Sequence, residues 1–384
     1  MQAHVRSNEW MAKMRRASLL VLTLSTWIAH GQEVVSTSDE GSKVREKTFL
    51  CALTRMRDEH QLLKSFIQHH RWEGVEKIVV IDDTNARRPL VNHDPDVHVV
   101  PMNLSEYTAG TQWHPLDEIS KSHHMKDCEW IASLDVDEFL STRRNPCKTV
   151  AQELKDSFDS VDAVNVPWIM FSYNEELEVV SDVRHDNIMR WNHSKRHSAP
   201  LKVRKYKDLY YNDETKPIFR PGQLKSLKIH GVILHEGKYV DGVVGLENVR
   251  TAPFKFVNNF HEPEIANALL VINHYRFTSQ ENVIEKCTLR NVNNNWQADY
   301  AIQPDTCIAA ANASNWREVK DESMRHKFIW RSQGIPCIYE DPRKHIGVVV
   351  EDPMSAANPH LSLEGFLDKG QAALQMTCPV STAE

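Results

Sequence analysis

Three largely apolar runs, each stopped by charged residues, constrain this chain most. They are CALTRM at 51–56 before Arg57-Asp58-Glu59, EKIVVI at 76–81 before Asp82-Asp83, and WIASL at 130–134 before Asp135-Val136-Asp137-Glu138. Continuous apolar runs of this length read as strands covered on both faces. Between them the spacing turns helical. Leu62, Leu63, Phe66, Ile67 and Trp72 form one stripe ahead of Gly74, which serves as a stop. Leu116, Ile119 and Met125 form a second stripe over 114–127, and 148–158 gives a third helix. Further strands are read at 96–104, 162–171 and 268–275, and a helix over 279–287 with Ser279 as N-cap. Strands alternating with helices make an α/β domain around a mostly parallel central sheet flanked by helices. Between 172 and 260 the pattern is less regular, as in LKSLKIHGVILHEG at 224–237.

In such sheets ligands gather at the carboxyl ends of the strands, where the charged stops of this chain lie. Read as one strand from 128 to 140, the sequence puts Asp135 and Asp137 two apart on one face, with Val136 on the other. Two close carboxylates repel unless a cation lies between them, and hard oxygen donors suit Mg2+ or Mn2+. The pair is therefore read as a metal and diphosphate site, with Glu138 in support. Asp82 and Asp83 are placed to accept hydrogen bonds from a base or ribose. Arg55 and Arg57 are placed to meet a diphosphate. His235 and His274 each follow an apolar strand and are candidate metal ligands. In the pairs His69-His70 and His123-His124, both read as helical, one imidazole of each faces inward.

Bulk properties set the class. The chain has 384 residues and a net charge of −6, which excludes a general nucleic-acid binder. Residues 1–31 read as a signal peptide or short signal anchor: Lys13, Arg15 and Arg16 precede an uncharged run at 17–29 that is shorter than the ~20 residues of a spanning helix. Residues 32–46 form a linker, 47–340 the catalytic domain and 341–384 a tail. Secretory entry implies that some of the seven cysteines pair. Short loops favour Cys128–Cys147 and Cys287–Cys307. The sequons at Asn103, Asn192 and Asn312 suit a lumenal protein.

Several of these blocks resemble glycosyltransferase family 92 and related family-2-like transferases. The similarity runs through CALTRMRDEHQLLKSFIQHHRWEGVEKIVVIDDTN, WIASLDVDEFL, VPWIMFS, LKSLKIHGVILHEG and NHYRFTSQENVIEKC. The chain departs at TRMRDE, where the family often has Lys-Asn, and at WIMFSYN, which lacks a Gly after the Phe. The resemblance implies a GT-A fold, a nucleotide-sugar donor such as a UDP-sugar, a divalent cation (Mn2+ or Mg2+), a glycan or glycoconjugate acceptor and inversion. It implies work in the secretory pathway, in the Golgi lumen or after secretion, with the N-terminal segment as a possible anchor. By position Asp135 and Asp137 would hold the metal, Asp82 or Asp83 the nucleoside, and Lys225 the diphosphate, with His235 or His274 near the metal. Inversion needs a base on the acceptor hydroxyl, for which Glu236 is the residue named, beside Glu175, Glu176 and Glu247. Two other readings are a metal-dependent sugar-nucleotide phosphohydrolase, which needs a denser His/Asp cluster, and a non-catalytic glycan-binding protein.

Overall fold

The computed structural model describes residues 47–84, 90, 94–103, 113–175, 180–195, 214–242, 245–250, 260–290 and 304–337. The N-terminal segment, the linker and the tail lie outside these residues. In chain order the elements are β1 (Thr48–Met56), α1 (His60–Trp72), β2 (Lys77–Asp83), β3 (Val97–Met102), α2 (His114–Ser120), β4 (Cys128–Ser133), β5 (Glu138–Thr142) and α3 (Val150–Ser157). They continue with β6 (Ala163–Met170), α4 (Val183–Asp186), β7 (Met189–Arg190), β8 (Thr215–Phe219), β9 (Leu224–Lys228), β10 (Gly231–Leu234), β11 (Tyr239–Asp241) and β12 (Gly245–Arg250). The last are α5 (Glu262–Asn267), β13 (Leu270–His274), α6 (Gln280–Glu285), α7 (Pro304–Ala313), β14 (Val319–Lys320) and α8 (Ser323–Gln333).

One large sheet runs in the order β12-β11-β6-β8-β4-β1-β2-β3, with β13 pairing both β6 and β5. β1 is parallel to β2 and β4, β2 to β3, and β6 to β11 and β13. β8 is inserted antiparallel between β4 and β6. The sheet is thus mostly parallel and curled, in keeping with a GT-A-like fold. Alternation along β1 supplies both cores. Leu50 and Ala52 join Val80, Trp130, Phe66 and Leu154 on the face covered by α1 and α3. Cys51 and Leu53 join Val79, Ile131, Leu116 and Leu227 on the face covered by α2 and the β9–β10 hairpin. Gly74 ends α1 at φ 88°, and a Cβ there would come 2.6 Å from the Cβ of Ala151 in α3.

Three sequence expectations are corrected. The strand through 128–140 is two strands, broken at 134–137. α2 stops at Ser120, because Ser120 and Ser122 donate their hydroxyls to Asp117 O (2.8 Å) and Ile119 O (2.7 Å) and carry the chain through turns, so His123-His124 is not helical. Cys128 pairs with Cys51 on the neighbouring strand and Cys147 with Cys337, while Cys287–Cys307 forms as expected.

Both imidazoles of His69-His70 are buried, not one. His69 Nε2 lies 2.8 Å from Leu140 O, and the Leu140 N–H donates to His70 Nε2 at 3.3 Å. His70 Nδ1–H donates to Phe66 O at 2.8 Å. The two rings thereby close the backbone of β5 on the side away from β13. Neighbouring positions on a helix differ by only about 100°, so a wide buried stripe takes in both. Lys327 of α8 adds an ion pair to Glu73 and hydrogen bonds to Ser141 and Thr142, both 3.0 Å.

Burial pushes His70 down to about 3 and His69 well below its ordinary value, so both are neutral in the folded protein. The unfolded chain binds protons below about pH 6.5 that the folded chain refuses. Stability is therefore full above that pH and falls below it, by up to about 1.4 kcal/mol per pH unit for each ring. Denaturant unfolding at pH 7.5, 6.5 and 5.5 checks this. A flat profile over that range counts against it, and His69→Gln/His70→Gln should flatten the profile whatever its absolute stability.

Candidate active site at the carboxyl edge of the sheet

At the end of β4 the chain leaves its neighbours β1 and β8 and reverses to pair β5 with β13. The Leu134 N–H still donates to Leu53 O (3.0 Å), and Tyr275 N–H donates to Asp137 O (2.9 Å). Glu138 closes the reversal. Its carboxylate accepts the Asp135 N–H at 2.8 Å, while its own N–H donates to Asp135 O at 3.0 Å. Val136 is buried, so the turn is pinned by an apolar side chain between its two acids.

Each aspartate has its own lysine. Lys216 Nζ of β8 lies 2.6 Å from Asp135 Oδ2 and 3.5 Å from Glu138 Oε1. Lys286, just after α6, lies 3.0 Å from Asp137 Oδ2, 3.8 Å from Glu59 and 2.6 Å from Arg276 O. The Oδ1 atoms face elsewhere: Asp135 Oδ1 is 3.8 Å from Arg55 Nε, and Asp137 Oδ1 is 3.6 Å from His274 Nε2. Burial alone would raise both carboxyls. The Lys216 and Arg55 charges outweigh it at Asp135, and Lys286 and His274 outweigh it at Asp137, so both are held below the ordinary carboxylate range. Glu138 goes the other way. Burial dominates, Lys216 only partly offsets it, and its carboxyl is pushed well up. Like-charge repulsion between Asp135 and Asp137 is thus answered by lysines, without an ion. Among the described residues no three His, Cys, Asp or Glu side chains are gathered as a metal cluster.

The end of β2 is next along the edge. Asp82 Oδ2 accepts the Leu90 N–H at 2.9 Å, while its Oδ1 is buried with no hydrogen-bond partner. Burial raises the Asp82 pKa. Asp83 Oδ2 lies 3.2 Å from Arg57 Nε. Arg55, Asp82, Asp83, Asp135, Asp137 and His274 are therefore brought to one edge.

Lys225, His235 and Glu236 are not. All three are exposed on or beside the β9–β10 hairpin, at the opposite edge. The His235 N–H donates to Gln223 O (2.9 Å), and the neighbouring Lys238 N–H donates to Asp162 Oδ2 (3.0 Å), ahead of the first residue of β6. The rule that apolar strands end at the ligand edge holds for the parallel strands, and β10 runs the other way. The hairpin reaches the site at its turn, where His230 lies. His230 Nδ1 donates to Thr215 O at 3.2 Å, its Nε2 is 3.9 Å from Glu214 Oε2, and its ring is 5.2 Å from that of Trp168, which is itself 4.3 Å from His274. Burial and the Lys216 charge push His230 down to about 4.

Lys216, Glu214, His230, Lys286 and Glu59 escaped the sequence reading. Signals existed for two of them. Lys216 is a lone cation inside the strand TKPIF, and His230 precedes the glycine of a hairpin turn. Lys286 looked like an ordinary helix-end lysine.

Residues 122–305 match the model of glycosyltransferase family 92. A glycosyltransferase family 92 protein of Arabidopsis thaliana is 25% identical over 144 residues, which are 35% of this chain and 24% of that relative. The chain thus matches about a quarter of that protein's length. The residues that match the family model include Asp135, Asp137, Lys216, His230, His274 and Lys286.

Replacing Lys216 by Met leaves Asp135 and Glu138 without their shared counter-charge. The expected loss is roughly 2–3 kcal/mol in denaturant unfolding, less than for a fully buried pair because water still reaches Asp135. Wild-type stability in that variant would show that the ion pair does not hold the turn.

Proposed function

We propose that this chain transfers a sugar from a nucleoside-diphosphate donor, a UDP-sugar, to a hydroxyl of a glycan or glycoconjugate, with inversion at the anomeric carbon. The observation that carries this reading is the meeting of Asp135, Asp137, Lys216 and Lys286, all within the family-matched residues, with Arg55 of β1 at one sheet edge. Cations so placed offset the charge of a diphosphate as it leaves. The buried Asp82 Oδ1 supports a nucleoside contact there, since a base N–H or ribose hydroxyl would satisfy it.

The donor chemistry suits Mn2+ or Mg2+. The lysines take Oδ2 of each aspartate, which leaves Oδ1 of Asp135 and of Asp137 as the atoms that would hold the ion. When bound, such an ion supplies Lewis-acid stabilisation of the departing diphosphate. Work in the secretory pathway, in the Golgi lumen or outside the cell, is supported by the three disulfides, which persist in oxidising compartments. The N-terminal segment is the proposed anchor; among the described residues no helix is long and apolar enough to cross a membrane.

Calorimetry with UDP and a panel of UDP-sugars, in Mn2+ and in chelator, tests the reading. Binding should require the metal, and equal affinity in chelator would sink the metal role. Asp137→Asn should lower transfer at least about 100-fold, because the ion it helps to hold contributes several kcal/mol in the transition state. Its melting point should stay within a few degrees of wild type.

A further inference from the structure

Inverting transfer needs a group that takes the acceptor proton on the side of the anomeric carbon opposite the leaving diphosphate. The second half of the chain holds a pair of proton acceptors beside the site that the diphosphate reading leaves unused. Glu214 lies two residues before Lys216, and alternation along the strand puts the two on one face. Lys216 spends that position on Asp135. The carboxylate of Glu214 instead looks across to His230, Oε2 to Nε2 3.9 Å.

The tautomer of His230 follows from its other nitrogen. Nδ1–H donates to Thr215 O at 3.2 Å, which leaves Nε2 as an acceptor. Nε2 therefore faces another acceptor, at a distance too long for a direct hydrogen bond. Two converging acceptors are complementary to a donor group, and an acceptor sugar hydroxyl is such a group. Backbone contacts fix both residues. The Trp168 N–H donates to Glu214 O at 3.1 Å, and Thr215 Oγ1 donates to His230 O at 3.4 Å. The indole of Trp168 lies between this pair and His274, with ring centroids 5.2 Å and 4.3 Å away. Trp168 thus joins the pair to His274, which lies 3.6 Å from Asp137.

We infer that Glu214 and His230 form the acceptor-hydroxyl site and take up its proton during transfer, an inference that rests on the transferase reading above. The acceptor oxygen bonds to the anomeric carbon. The bond from that carbon to the diphosphate oxygen breaks, and its electron pair leaves on the nucleoside diphosphate. The hydroxyl proton passes to His230 Nε2, and the Glu214 carboxylate 3.9 Å away offsets the charge that the imidazole gains. Glu236, at the opposite edge of the sheet, takes no part.

The test uses the full chain with Mn2+, a panel of UDP-galactose, UDP-glucose and UDP-N-acetylglucosamine, and a pool of free N-glycans as acceptor. Acceptor-dependent UDP release and calorimetric UDP binding are read on the same samples. Glu214→Gln and His230→Gln should each lower kcat for acceptor-dependent release by about 100-fold or more, with UDP affinity unchanged within about twofold. Added imidazole should restore part of the activity of His230→Ala, which a structural role would not allow. His235→Gln, outside the site, should match wild type. Near-normal transfer in Glu214→Gln and His230→Gln overturns the assignment, as does a loss of UDP binding in step with transfer, which would put the pair on the donor side. A wild-type protein that binds no UDP-sugar overturns the transferase reading, and this inference with it. Wild-type transfer with unaffected variants overturns the inference alone.

Discussion

Acid buried at the end of β4 is the constraint on which the rest of the structure turns. Asp137 is almost wholly buried and Glu138 fully so, in a place with little water to solvate them. The fold answers in two ways. Burial pushes the Glu138 carboxyl up, and its oxygen accepts the Asp135 N–H as a clasp on the turn. Asp135 and Asp137 stay ionised because each is met by a lysine brought from far along the chain, 81 residues away for Lys216 and 149 for Lys286. The reversal between β4 and β5 is therefore stable only when β8 and the end of α6 are in place. Folding of the sheet and assembly of the site are one event.

β8 explains why the second half of the chain can serve an edge laid down by the first. Among parallel strands, only carboxyl ends reach the ligand edge. A strand inserted antiparallel brings its amino end there instead, so Glu214, Thr215 and Lys216 arrive beside Asp135. The chain then leaves β8 at the far edge, returns along β9, and places His230 at the turn. Every later residue of the hairpin moves away again. Direction alone thus separates His230, which joins the site, from His235, which does not.

Local pattern carried the strands, the helices and the sheet edge, because apolar periodicity reports burial directly. Ser279 shows the same at finer scale: its side chain accepts the Asn282 N–H at 3.2 Å, as a helix-start serine should. Pairing was not legible. Cys51 and Cys128 are neighbours because β1 lies beside β4, a fact of sheet order that loop length does not encode. The break at 134–137 was hidden for a related reason. Apolar residues on both sides of the acids continue the strand pattern, while the partner strand changes from β1 to β13. Lys216 and Lys286 were missed because they answer charges remote in sequence. Once the aspartates are placed in a buried turn, a cation near each becomes a requirement, but its residue number does not follow.

Charge at this edge is carried by both signs. Arg55, Lys216 and Lys286 carry three positive charges at this edge, and Asp135, Asp137 and Glu59 carry three negative ones. Each of these cations is thus already paired with a carboxylate. A donor diphosphate brings two negative charges into the same partly buried space. Three cations already engaged with carboxylates can turn toward it only by giving those contacts up. A divalent ion arriving with the donor would share that charge with the three cations. On the proposed function the metal is then a partner of the nucleotide rather than a resident of the turn. On that reading the carboxylates would serve two purposes at different moments: with their lysines they hold the chain reversal, and through their Oδ1 atoms they would receive the ion that the diphosphate brings.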